Sequence, residues 1–264
     1  MNLKLGISTC PNDTYIYENL IAGLHDSPFS WDVTFADVQT LNEMVLQGEL
    51  DVAKVSCGVL AQMDERYQVL SCGGAMGYGC GPLLLSSNGS SFDLSSVTNL
   101  PGRNTTAALL FKYWFMNTQQ GGLKVDYALF DAVYRDLKSR RIIQGVVIHE
   151  HRFTWKRDGL YLIQDLGAFW EASVRSPVPL GCAVAKRSLG TSVITHVEQE
   201  IRDSLALARG RSEPVTPFIR EKAQIGDKAV IEAHIQMFVN DFSQNIGVEG
   251  AQALQTLLEV AKDS

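Results

Sequence analysis

Apolar and polar positions along the first third of the chain change period repeatedly. Leu3, Leu5 and Ile7 recur every second residue, as in a short strand. Pro11-Asn12-Asp13 then suits a helix start, and Tyr15, Tyr17, Leu20 and Ile21 give that helix an apolar side. Residues 31–36 alternate again. Leu41, Met44 and Val45, closed by Gly48, predict a second helix. Residues 51–55 read as a third strand and residues 59–66 as a further helix. Strands near 68–70 and 82–86 complete this part. The alternation predicts an α/β layer with a mostly parallel sheet.

Ser86-Ser87-Asn88-Gly89-Ser90-Ser91 has no periodicity and predicts a loop, placed near a crossing between lobes. Beyond it, Pro101-Gly102 makes a turn, and Thr105-Thr106 opens a helix through Ala107, Leu110, Trp114 and Phe115. A helix over 131–139 leads to a strand over 145–148, with another strand over 160–163. Pro177, Pro179 and Gly181 mark turns before a return strand at 182–185. Apolar residues then recur at helical spacing: Ile194, Val197, Ile201, Leu205 and Ala208; Ile231, Ile235, Phe238 and Phe242; Leu254, Leu257, Leu258 and Ala261. These stripes read as core packing. The order helix then strand over 41–56 recurs over 130–148. It predicts two α/β lobes with a ligand cleft between them, residues 1–90 with 187–264 forming one and 91–186 the other.

The 264 residues carry a net charge of -6, with 29 acidic against 23 basic side chains. That balance argues against a general nucleic-acid partner. No stretch reaches the ~20 apolar residues of a membrane span. The N-terminus reads as a strand rather than a signal peptide, so a cytoplasmic protein is expected. Five cysteines, with no C-x-x-C pair, support neither a disulfide framework nor a zinc ribbon. They are expected to be small buried apolar residues, with Cys10 set apart by its place at a helix start.

Four short segments offer chemistry. His149-Glu150-His151-Arg152 follows the apolar run Val146-Val147-Ile148. Continued as a strand, it would put His149 and His151 on one side and Glu150 on the other. A histidine at a strand end suits a general base, a purely structural hydrogen bond, or one of two metal ligands lacking a third. Ser8 to Thr14 lies between strand and helix, where backbone N–H groups receive a polar ligand group or plain capping explains Asn12 and Asp13. Lys54-Val55-Ser56 ends the third strand. Lys54 there is either a solvated lysine or a partner for a substrate carboxylate. The hydroxyls of Thr105 and Thr106 either cap their helix or hold that carboxylate. There is no G-x-G-x-x-G and no Walker loop.

Several of these segments together resemble one family. Ser8-Thr9-Cys10-Pro11-Asn12-Asp13-Thr14 is similar to its S-x-C-P-N-D-T opening, and Asp37 to Asn42 resembles its D-x-x-x-L-N segment. Asp51 to Ser56 resembles D-x-x-K-x-S, and Thr105-Thr106-Ala107 the T-T-A helix start. Ile148 to Thr154 resembles I-H-E-x-R-F-T, and Asp165-Leu166-Gly167 and Pro179-Leu180-Gly181 also fit. Gln144 stands where the family tends to carry an acid. The family is that of 1,4-dihydroxy-6-naphthoate synthase. The resemblance implies a two-lobed periplasmic-binding-protein-like fold and a lyase acting on cyclic dehypoxanthinyl futalosine, a small-molecule carboxylate. It implies no metal or organic cofactor. It also implies that Lys54, Val55, Ser56, Thr105 and Thr106 contact substrate and that His149 accepts a proton. A non-catalytic solute-binding protein and the sister enzyme chorismate dehydratase share the fold. The I-H-E-x-R-F-T segment argues against the latter.

Overall fold

A computed structural model describes residues 1–23 and 27–262. Two sheets organise them. In the first, β1 (Asn2–Ile7) pairs in parallel with β2 (Ser30–Phe35) and with β3 (Val52–Ser56). Further along the chain come β4 (Tyr67–Val69), β5 (Ala75–Gly77), β6 (Leu83–Ser86), β7 (Thr98–Pro101), β8 (Val125–Ala128), β9 (Gln144–Val147), β10 (Tyr161–Asp165) and β11 (Val178–Lys186). The first sheet runs β2-β1-β3-β11-β4, with β5 also on β11; the second runs β10-β6-β9-β7-β8.

The sheets are mixed, which corrects the expectation of mostly parallel pairing. β11 runs antiparallel to β3, β4 and β5, and β6 runs antiparallel to β9 and β10. The reason is topological: the chain enters the second sheet after β5 and returns along β11, so returning strands oppose outgoing ones. Residues 83–86 therefore pair in the second sheet and residues 178–186 in the first, either side of the boundaries read from sequence. The serine-rich segment 86–91 follows β6 and so lies beyond the crossing, folded on itself by the Ser86 hydroxyl and Asn88 carboxamide.

Other departures are local. Residues 59–66 form only a 3₁₀ turn, Cys57–Ala61, because Asp64 accepts the Arg66 N–H at 2.9 Å and diverts the backbone. Pro179 and Gly181 sit inside β11, where a register shift between them removes the demand for a regular ladder. The stripe from Ile231 to Phe242 is two helices, Lys228–Phe238 and Asp241–Gln244, since Asn240 caps a new helix. Gln144 is fully buried and anchored: its carboxamide accepts from Asp93 N and donates to the Thr98 hydroxyl at 2.8 Å.

The N-terminal helix Pro11–Ala22 packs on Thr191–Arg209, which covers the first sheet. Ile194, Val197, Ile201, Leu205 and Ala208 are all buried there. A larger apolar cluster joins both sheets, from Leu41 and Val55 through Leu84 and Phe111 to Trp170 and Leu257. All five cysteines are free and buried. No helix among the described residues is long and apolar enough to cross a membrane.

The two crossings touch each other. Gly81 in the first lies against Gly167 in the second, so closely that a Cβ on either would run into the other's backbone. Gly81→Ala should therefore cost about 1–3 kcal/mol, the usual range for overpacking. Gly122→Ala, where a Cβ meets open space, should leave stability unchanged. Thermal melting of both variants is the check; equal midpoints would deny the contact.

Candidate active site

The C-terminal ends of β1 and β3, the start of the helix Thr106–Thr118 and the turn after β9 meet around one cavity. Every site residue expected from sequence lines it: Lys54, Val55 and Ser56 from the first lobe, Thr105, Thr106 and His149 from the second.

Lys54 is 6% exposed, and its only ionic partner among the described residues is Asp13, at 3.5 Å. Asp13 is already well served: Ser8 Oγ donates to it at 2.7 Å and Asn12 Nδ2 at 2.8 Å. The segment between β1 and the first helix thus fills its own anion site with a resident carboxylate. The Lys54 ammonium keeps spare donors that face the cavity. A Cβ at Gly181 would sit 2.5 Å from Lys54 Nζ and displace the ammonium.

The hydroxyls of Ser56, Thr105 and Thr106 are bonded within the protein, and for Thr105 capping is the reading that holds. Thr105 Oγ1 accepts the Ala108 N–H and donates to Gly102 O, so it caps its helix. Thr106 Oγ1 accepts the Gly58 N–H at 3.0 Å and lies 3.1 Å from the carbonyls of Pro179 and Leu180. Ser56 Oγ accepts the Thr106 N–H at 2.8 Å. The Ser56 and Thr106 hydroxyls knit the lobes together. What the helix start still offers a ligand is its remaining first-turn N–H groups, with Ala107 also at the cavity wall.

The strand preceding His149 ends at Val147, and the two histidines do not share a strand face. His149 takes a left-handed backbone, φ 54°, and residues 151–154 turn into helix. Its Nδ1 lies 3.5 Å from Cys10 Sγ, and Phe130 meets its ring edge-on at 5.0 Å. Burial pulls its pKa down to about 4; Asp13 and Asp131 oppose the shift, while His151 and Lys54 assist it. The ring is neutral at physiological pH. His151 instead stacks on Tyr134 at 3.7 Å, with Nε2 3.3 Å from Asp131. Asp131, Glu150 and His151 converge within 4.8 Å, outside the residues that line the cavity. Burial raises the Glu150 carboxyl pKa, and its Oε2 has no hydrogen-bond partner among the described residues.

Sequence reasoning assigned no site role to Arg152 or Phe238, which also line the cavity. Arg152 donates to Gly81 O at 2.6 Å and to Asp165 at 2.7 Å, clamping both crossings. Its place three residues after His149 in one short motif was the available signal. Phe238 belongs to an apolar stripe, which carries no sign of which member meets a ligand. Behind His149, at 6.2 Å between ring centroids, lies His234, fully buried with neither nitrogen bonded among the described residues.

Residues 3–263 match a family described as menaquinone biosynthesis. Two curated relatives named 1,4-dihydroxy-6-naphtoate synthase are each 37% identical to the chain. The one from Streptomyces coelicolor aligns over 97% of this chain and 91% of its own length; the one from Thermus thermophilus, over 98% and 94%. A crystal structure of an Archaeoglobus fulgidus protein superposes with a TM-score of 0.92 at 25% identity, covering 99% of this chain and 97% of that one. The alkanesulfonate-binding protein SsuA from Xanthomonas axonopodis pv. citri, bound to MOPS, aligns with a TM-score of 0.70 at 10% identity, over 99% and 93%. The fold is that of the periplasmic binding proteins, two lobes with a ligand cleft.

Removing one member of a buried ion pair strands the other, whereas removing both is close to neutral. Lys54→Met should therefore lower the melting temperature, and adding Asp13→Asn should restore most of it. Affinity for 2-naphthoate, measured by calorimetry, should fall at least about tenfold in both, the ~1.4 kcal/mol scale of a lost charged hydrogen bond. Recovery of affinity in the double variant would rule Lys54 out as the anion partner.

Proposed function

The chain belongs to the menaquinone biosynthesis family, and we propose that it converts cyclic dehypoxanthinyl futalosine to 1,4-dihydroxy-6-naphthoate as a carbon–carbon lyase. The observation that carries this reading is the pairing of Lys54 and His149 on walls of one cavity. Lys54 is a buried cation with unused donors, suited to a substrate carboxylate. His149 is a neutral imidazole, suited to removing a proton beside a carbonyl. The first-turn N–H groups that Ser56 and Thr105 leave free, with Ala107 at the cavity wall, add dipolar support for the carboxylate.

In this reading His149 takes a proton from the substrate, the adjacent carbon–carbon bond breaks, and aromatisation of the new ring helps drive the step. The protein supplies position and a water-poor pocket, which strengthens each polar contact made there. A base contributes typically ~10²–10⁴-fold. The reading calls for no metal and no organic cofactor, and it makes the protein a cytoplasmic enzyme. A solute-binding protein of the same fold would bind ligand without turning it over.

The test is incubation with cyclic dehypoxanthinyl futalosine while the naphthoate product is followed by absorbance and mass. Wild-type protein should form it; His149→Ala should lose at least about 100-fold in turnover while still binding product. His149 acts unprotonated, so kcat/KM should hold level from neutral pH downward and fall on the acid side near pH 4, the value to which burial brings this ring. An acid limb near the ordinary histidine value of about 6.5 would contradict the effect of burial on this ring, and turnover that survives His149→Ala would contradict the assignment.

A further inference from the structure

Two residues beside the cavity each depart from a local backbone rule, and they touch. Residue 10 is the N-cap of the helix Pro11–Ala22, a place where Ser, Thr, Asp or Asn usually accepts a backbone N–H. Cys10 makes no side-chain cap bond. Residue 149 takes a left-handed backbone without being glycine. Cys10 Sγ and His149 Nδ1 lie 3.5 Å apart, within the range of a sulfur hydrogen bond. A side chain turned back to cap the helix would not reach the ring. Departures from local rules that converge on one contact mark a functional constraint.

We propose that Cys10 is a positioning residue that sets the tautomer of His149: its sulfur accepts the Nδ1 proton and leaves Nε2 unprotonated and open to the cavity. The proposal rests on the reading of His149 as the base. Nε2 has no protein partner among the described residues, and it is not one of their sealed polar atoms. The backbone that carries the sulfur is held from both sides. The Cys10 N–H donates to Ser8 Oγ at 3.2 Å, while Thr14 N and Oγ1 both donate to the Cys10 carbonyl. The ring is held by the edge of Phe130 and by His234 stacked behind it.

The opposite arrangement, S–H donating to Nδ1, would place the ring proton on Nε2 and remove the base from the cavity. Burial, with the charges of Glu150, Asp13 and Asp37, keeps Cys10 a neutral thiol. Such a sulfur orients the ring without placing a negative charge beside it. An Asp at this position would do both, and would favour the imidazolium before substrate arrives.

The experiment uses the full chain labelled with ¹⁵N-histidine, the His149 signal being assigned by its loss in His149→Gln. Two-bond ¹⁵N–¹H spectra at neutral pH should show Nδ1–H and a bare Nε2 in the wild type. Cys10→Ala should move His149 toward the Nε2–H form. Cys10→Ser, whose hydroxyl also accepts, should move it back. Turnover should follow: kcat down at least about tenfold in Cys10→Ala, as expected of a misplaced tautomer, with KM little changed and kcat largely recovered in Cys10→Ser. An Nε2–H tautomer in the wild type overturns the proposal even if Cys10→Ala fails to fold. An unchanged spectrum and kcat in Cys10→Ala overturn it while His149→Ala stays inactive. Activity in His149→Ala would instead remove the base reading beneath it.

Discussion

The hydrogen bond from Thr106 N–H to Ser56 Oγ is the joint on which the cavity depends. It ties the end of β3 in one lobe to the helix start in the other. The Thr106 hydroxyl extends the tie to the carbonyls of β11, and Gly58 leaves no room for a side chain at the same seam. Such bonds contribute only about 0.5–1.5 kcal/mol net when made, but a buried donor left without a partner costs about 1–3 kcal/mol. The seam is therefore intolerant of misfit. Lys54, two residues before Ser56, and Ala107, one after Thr106, are placed on the cavity wall by backbone that cannot slide.

Burial then acts in opposite ways on the groups around that cavity. Lys54 and Asp13 stay as a pair because each offsets the other's desolvation, helped by Ser8 and Asn12. His149 has no carboxylate in contact, so burial drives it to the neutral form. A solute-binding protein requires the first arrangement for an anionic ligand. The second leaves a neutral imidazole at the cavity wall, which the proposed lyase would use as its base and a receptor would not need.

Much of this was legible in the chain. Period-two spacing located β1 and helical spacing the long C-terminal helices, because each buries one regular face; β3 and β9, buried along their whole length, showed only as short runs rich in apolar residues. The short motifs brought Lys54 and His149 to one cavity, because residues at strand ends in an α/β fold converge there. Three features escaped, each for a physical reason. A strand pattern stops at Val147 with no local sign that His149 turns left-handed; the turn is stabilised by tertiary contacts. Pro179 and Gly181 read as turn residues, yet β11 absorbs them through a register shift that only its partner strands reveal. The hydroxyls of Thr105 and Thr106 looked available to a ligand, and spacing alone cannot show that Gly102, Gly58 and Leu180 occupy them.

The account makes one geometric claim above the rest, that a single ligand bridges Lys54 and His149. A crystal structure with 1,4-dihydroxy-6-naphthoate bound tests it most directly. The predicted result places the carboxylate within about 3.5 Å of Lys54 Nζ, hydrogen-bond distance, and the dihydroxylated ring beside His149 Nε2. A product lodged outside this cavity, or inside it with the carboxylate turned away from Lys54, would contradict the account.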